Sequence, residues 1–510
     1  MSNNSNAKKL TLISLILMIF TSVFGFTNMP RAYFLMGYSA IPWYVFSAIL
    51  FFIPYAFMMS EYGSAFKHES GGMYSWMEKS VGGKYAFIGT FMWYASYVIW
   101  MVNVGSGIWV PLSNAIFGGD TTATWSLFGL SSVQTLGILG ILWIIVVTIV
   151  GSKGVDKISK ISSVGGTAVT LLNVVLLFGG IAVFASHGGL AEPINDVAQA
   201  FTQSPSPDYQ SVTGIFSFLT FAIFAFGGLE VLGGLVDQTE NAEKTFPKGV
   251  MISAIIISIG YAIGIFACGM FTNWSEILSG KEVHLGNVAY ILMKNLGYQL
   301  GIGFGANQST ALVVGEWTAR LVGLSMFLSL TGAFFTLTYS PLKTLIQGAP
   351  KGIWPGKLGE LKNGMPVYAM RLQAVIVIII IAIVSFGGKN ASEFFNILAL
   401  MTNVAMTIPY MFLSVAFVKF KKKQLNGEIE SPFMIYKTQK SATIFSVIVT
   451  FVVGFANVFT VIQPTIQSSA GISKTITMMA GPLIFTLVAY LLYSNYEKKQ
   501  NKNNSNKETI

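Results

Sequence analysis

The chain has 510 residues, of which 53% are hydrophobic and only 10% charged, with a net charge of +10. A soluble domain carries roughly 25% charged residues, so this composition excludes an ordinary water-soluble fold and indicates an all-α integral membrane protein. The basic balance does not point to nucleic acid, because the lysines and arginines sit in short loops and not on one accessible face. The single cysteine, Cys268, excludes an intrachain disulfide and a CxxC-type metal site.

In chain order, residues 1–10 read as a cytoplasmic tail. The basic start and apolar core resemble a signal peptide, but the apolar run continues past Phe24, which makes it an uncleaved first helix. Apolar runs follow near 11–36, 40–60, 85–115, 134–151, 161–185, 211–236, 248–272, 311–344, 370–387, 394–418, 441–465 and 474–494. Each is long enough for a hydrocarbon core of ~30 Å, giving about twelve transmembrane helices. The last residues, 495–510, form a polar C-terminal tail expected to be disordered. With the N-terminus inside, 25 of the 31 lysines and arginines fall in inside loops or tails, and Lys281, Lys294, Lys389 and Lys474 fall outside. The positive-inside rule then predicts that both tails face the cytoplasm.

Two stretches interrupt this pattern. Span one contains TSVFGF (Thr21 to Phe26), and span six contains FAFGGLE (Phe224 to Glu230) at a similar depth. Glycines weaken a helix, and a carboxylate at mid-membrane costs ~2.5–3.5 kcal/mol on insertion scales. Paired interrupted helices in two halves of a chain are the sequence pointer to an inverted-repeat transporter. The spacing fits a five-plus-five inverted repeat, 11–185 and 211–418, with discontinuous helices 1 and 6 and an added pair at 441–494.

A broken helix frees backbone N–H groups at one half-helix start and carbonyls at the other half's end. The first suit a carboxylate near Ser22, Val23, Phe24, Gly25 and Phe26; the second suit an ammonium at Ala225, Phe226, Gly227 and Gly228. The competing reading of the glycines is close helix packing of the small-xxx-small kind. Phe24, Phe26, Phe224 and Phe226 crowd the breaks, where a ring can close over a substrate or stack on a cation. Tyr97 and Trp100 on span three are further cavity candidates, although interfacial anchoring explains part of that belt. Glu230, isolated in an apolar span, is the candidate for gating or pH sensing. Glu316 and Arg320 have the spacing of a helical ion pair, and Arg31, late in span one, is expected to snorkel outward. His68, His187 and His284 fall in loops, read as solvated, and no second intramembrane carboxylate joins Glu230, which argues against an enzyme. A channel is the nearer competitor, since glycine-broken helices also line filters.

After span two, SEYGSAFKHESGGMYSW (Ser60 to Trp76) resembles the signature of the amino-acid/polyamine/organocation superfamily, through Glu61, Gly71, Gly72, Tyr74 and Trp76. FAFGGLE is similar to its aromatic-x-x-x-Gly-x-Glu segment, and SPLKTLIQGAPKGIWP with NGMPVYAM resembles the loop after span eight. Within the superfamily the resemblance is to the inner-membrane permeases of the glutamate/GABA antiporter family; it covers spans one to ten, and its GGMYSW and NGMP motifs agree in order and spacing. One departure is that span one reads SVFGF where many members carry a Gly-Ser-Gly-like break. The resemblance implies a leucine-transporter-type (LeuT) fold, alternating access and exchange of amino acids or their decarboxylation products. It makes Phe224 a substrate-stacking aromatic and Glu230 a gating carboxylate. The expected partners are an amino acid or amine and membrane lipids, with no nucleic acid, no metal and no cofactor; a homodimer is left open. The lack of a lysine inside span five after Lys160 leans towards exchange, while Ser325, Ser329 and Thr331 on span eight keep sodium coupling open.

Overall fold

The computed structural model describes residues 10–67, 69, 72–153, 158–230, 236, 239–362, 364–388, 391–467 and 471–508. Residues 1–9 of the tail, His68, Gly71, Lys157, residues 231–235 of span six, Asn363 and Lys389 lie outside the described residues. Hydrocarbon offers no hydrogen bonds, so a spanning backbone must satisfy its own N–H and C=O groups. Accordingly the described residues are helical through the apolar runs. Among the described residues ten helical stretches are long and apolar enough to cross a membrane; nine match spans three to five and seven to twelve, and Asn28–Ala65 joins the second half of span one to span two. Span one is cut into two pieces, Leu12–Val23 and Asn28–Met36, and in span six the helix Val212–Ala225 stops at the glycines. The twelve-span reading and the ten long helices therefore agree.

Boundaries follow local chemistry. Span four starts at a capping box, in which the Ser131 hydroxyl accepts the Gln134 amide and the Gln134 side chain accepts the Ser131 amide. Between spans one and two the chain turns at Gly37, whose φ of 56° suits glycine. The C-terminal tail differs from expectation: span twelve continues as one helix, Ile472–Glu508, beyond its apolar part. Arg320 also departs from expectation, since its guanidinium donates to the carbonyl of Ile116 instead of pairing with Glu316.

Spans three and ten are the most buried of the long helices, and span seven ties the first half of the chain together. Helix Ala242–Phe271 packs against both Leu12–Val23 and Ile53–Ala65 and against span five, Ile158–His187. On the side of the N-terminus the chain is tied together. The Glu240 amide donates to the Leu10 carbonyl at 2.9 Å, and Lys67 pairs with Glu243 at 2.9 Å. Beside them lies an ion pair with no solvent exposure, Glu61 at the end of span two with Lys421 at the end of span ten. Glu61 also accepts the amides of Ile435 (2.8 Å) and Tyr436 (2.7 Å), and Lys421 donates to Gln424. The superfamily-type glutamate thus joins two spans and the loop after span ten.

Removing one partner of a buried pair leaves an uncompensated charge, which costs about 3–5 kcal/mol. Lys421→Met is expected to destabilise the protein by about that amount in melts at a fixed scan rate in detergent. Glu61→Gln combined with Lys421→Met should be milder than Lys421→Met, because the amide oxygen still accepts from the two backbone N–H groups.

Candidate substrate cavity

Span one stops being helical at Phe24, whose ψ of 76° carries the chain out of the helix. It resumes at Asn28, whose amide bonds back to the Gly25 carbonyl at 3.1 Å. Span six ends at Ala225 with two tight bonds, Phe226 N–H to Ile223 and Gly227 N–H to Phe224. Gly228 has a φ of 118°, and a side chain there would meet the Ser22 carbonyl at 2.9 Å. The two breaks therefore touch backbone to backbone, which glycine alone permits.

Tyr261 of span seven joins them. Its hydroxyl accepts the Gly25 amide (2.9 Å) and the Asn28 side-chain amide (3.1 Å), and its proton is shared between the carbonyls of Val23 and Ala225, both at 2.7 Å. Its ring packs on Phe24, Phe226 and Tyr44. Part of the backbone freed by the breaks is thus satisfied inside the protein. The amides of Phe26 and Thr27 remain without a partner among the described residues.

A cavity of about 560 Å³ opens beside the breaks, within the range of small-molecule sites. Of the residues expected from sequence, Ser22, Val23, Gly25, Phe224, Ala225, Gly227, Gly228, Tyr97 and Trp100 line it. Phe24, Phe26 and Phe226 do not. They are buried in packing, Phe24 on Phe20 and Tyr261, and Phe226 stacked on Phe52. Glu230 is buried behind the wall, where its carboxylate accepts the Gly228 amide at 3.2 Å and closes its own break. The hydroxyl-bearing rings of Tyr55, Tyr97 and Tyr410 are its electrostatic neighbours.

Several lining residues were not anticipated. Asn103 of span three donates to Thr402 of span ten at 3.0 Å. The side-chain amide nitrogen of Asn403 and the hydroxyl of Tyr410 are buried with no hydrogen-bond partner among the described residues, and both residues line the cavity. A buried unpaired polar group costs about 1–3 kcal/mol, so an occupant that pairs with it gains that amount. Arg31 does not snorkel away; it lines the cavity and its Nε donates to the Leu285 carbonyl at 2.7 Å. No aspartate or glutamate lines the cavity among the described residues.

The loop that carries Leu285 is built on His284, which is buried and not solvated as its loop position suggested. The ring stacks on Phe395 at 4.7 Å, its Nδ1 accepts the Gly286 amide, and its Nε2 lies 3.7 Å from Asp120. Burial pushes its pKa down to about 4, with Asp120 opposing that shift.

The chain matches the amino acid permease family over residues 10–488 and belongs to it; it is a membrane transport protein, not an enzyme. Over 498 residues it is 53% identical to the inner membrane transporter YjeM of Escherichia coli K12, covering 97% of this chain and 98% of that one. More distant relatives are the aspartate/glutamate permease AcaP of Lactococcus lactis subsp. cremoris, 23% identical over 85% of this chain and 84% of its own. The glutamate/gamma-aminobutyrate antiporter of Lactococcus lactis subsp. lactis is 21% identical over 74% and 69%.

Two outcomes test this geometry. Tyr261→Phe keeps the ring packing but takes the hydroxyl away from the Asn28 side-chain amide and the Ala225 carbonyl, while the Gly25 amide keeps its bond to the Val23 carbonyl; a loss of about 1–3 kcal/mol is expected in detergent melts. For His284, the folded pKa lies below the unfolded value of ~6.5, so the unfolded loop binds the proton first. Stability contributed by the neutral ring is complete above pH 6.5 and falls as pH drops towards 4. Amide exchange of residues 283–288, corrected for intrinsic rate, should therefore quicken across that window, and His284→Gln should flatten the dependence.

Proposed function

We propose that the protein is a secondary amino acid transporter of a bacterial inner membrane, working as an exchanger by alternating access, with both termini cytoplasmic. The observation that carries the reading is the cavity between two touching helix breaks, lined by buried polar groups that lack partners. An α-amino acid fits this chemistry. Its carboxylate is taken by the amide of Thr27, which lines the cavity at the start of Asn28–Met36, and its ammonium by carbonyls at the end of Val212–Ala225, beside Phe224. Glu230 acts by holding the Gly228 turn, so its gating role is exerted through the shape of the break.

Arg31 decides among side chains. With one guanidinium and no carboxylate in the wall, the cavity's potential favours a substrate whose distal group is anionic or a strong acceptor, and disfavours diamines. The amino acid named for the relative AcaP, aspartate or glutamate, has that chemistry.

The test is counterflow in proteoliposomes with labelled amino acids and amines. Saturable uptake driven by internal unlabelled substrate is expected, strongest for acidic amino acids; exchange of none of the panel under verified reconstitution would sink the reading. Arg31→Gln should weaken the apparent affinity for an acidic substrate about 10- to 100-fold, in line with a charged hydrogen bond, and change that for a neutral amino acid little. Proton- or sodium-coupled uptake is the second reading, favoured by Ser329 in the cavity wall and by the unpartnered hydroxyl of Thr331 on the same helix. It requires accumulation into empty vesicles under an ion gradient, which pure exchange cannot produce.

A further inference from the structure

Away from the substrate cavity, spans three, nine and twelve leave a second void of about 700 Å³ between them. Its walls are almost wholly apolar, including Ile99, Ile376, Ile380, Ala480, Ile484 and Phe485. It runs along span nine from Ala369 to Val384, a rise of about 22 Å at 1.5 Å per residue. That exceeds the ~15 Å depth of one leaflet's hydrocarbon, half of a ~30 Å core. Walls without polar partners exclude ordered water, and a hydrocarbon chain seated along this lining would gain dispersion contacts over its whole length.

One end of the furrow carries charge. Trp354 and Leu358 line that end, and beside them the ammonium groups of Lys357 and Lys362 lie 5.6 Å and 4.9 Å from the centre of the Tyr368 ring. Arg371, exposed and one turn along the helix from Tyr368, adds a third cation, and Glu360 is the carboxylate that acts on the Tyr368 ring. A second copy of the chain docked here by a two-fold axis would bring these cations towards their own images. An anionic headgroup complements them instead, as basic pockets at the ends of transmembrane helices do for acidic lipids.

We infer that this furrow is a binding site for an anionic phospholipid of the leaflet on the Lys357 side, one acyl chain lying between spans three, nine and twelve and the phosphate meeting Lys357, Lys362 and Arg371. The inference is independent of what the central cavity carries.

The test is native mass spectrometry of the full chain in detergent, titrated separately with dioleoyl phosphatidylglycerol and dioleoyl phosphatidylcholine. Wild-type protein should retain phosphatidylglycerol about tenfold better at equal concentration. Ala480→Phe, which fills the furrow, should cut that retention severalfold. Leu487→Phe, on the exposed face of the same helix, should leave it unchanged. Replacing Lys357, Lys362 and Arg371 by glutamine alters only exposed side chains, so it keeps the test open if Ala480→Phe does not fold; it should abolish the preference for phosphatidylglycerol. Equal retention of both lipids by wild-type protein, or an undiminished preference in the triple variant, overturns the proposal. So does a dimer that Ala480→Phe dissociates, which would assign the furrow to a second copy.

Discussion

A phenol hydroxyl has one proton to give and two lone pairs to offer, and Tyr261 uses all three where the two interrupted helices meet. It accepts from Gly25 and Asn28 and gives to the carbonyls of Val23 and Ala225. Unpaired backbone in a bilayer is prohibitively costly, so breaks in spans one and six exist only where something replaces the lost helical bonds. Tyr261 supplies that replacement from span seven, and the Glu230 carboxylate supplies it for Gly228. What these two groups leave unpaired defines the polar surface open to a substrate.

The rest of the cavity follows from this economy of hydrogen bonds. Spans three and ten bring Asn103, Thr402, Asn403 and Tyr410 to the opposite wall. Gly227 is held to its small size by Tyr410, whose hydroxyl would overlap any added side chain. Arg31 links the wall to the loop at Leu285, and that loop is anchored on the buried ring of His284. The cavity wall, the loop position and the state of one histidine are thus connected through Arg31 and His284.

The spans were legible because a bilayer demands long apolar runs, and the breaks because glycines and a carboxylate inside such a run contradict its purpose. Nine of the proposed lining residues do face the cavity. The failures share a cause. In a membrane protein both the core and the lipid-facing surface are apolar, so periodicity does not reveal which face of a helix points inward. Phe24, Phe26 and Phe226 stood beside the glycines as candidates for either gate or packing, and they pack. Tyr261 was one tyrosine among 20, and nothing local marks it as the partner of residues more than 200 positions away. Lys421 reads as one of a cluster of loop lysines until folding sets it on Glu61. His284 looked solvated because its neighbours are polar, whereas its burial comes from Phe395 and Asp120, both distant in sequence.

The contact of Gly228 with the Ser22 carbonyl has a mechanical meaning. Two rods that cross with no padding at the crossing share a fulcrum, and neither can tilt without levering the other. Spans one and six are such a pair, and the substrate's main-chain groups are proposed to lie at their crossing. Under the proposed alternating access, a molecule bound there would touch both helices at the point where each constrains the other.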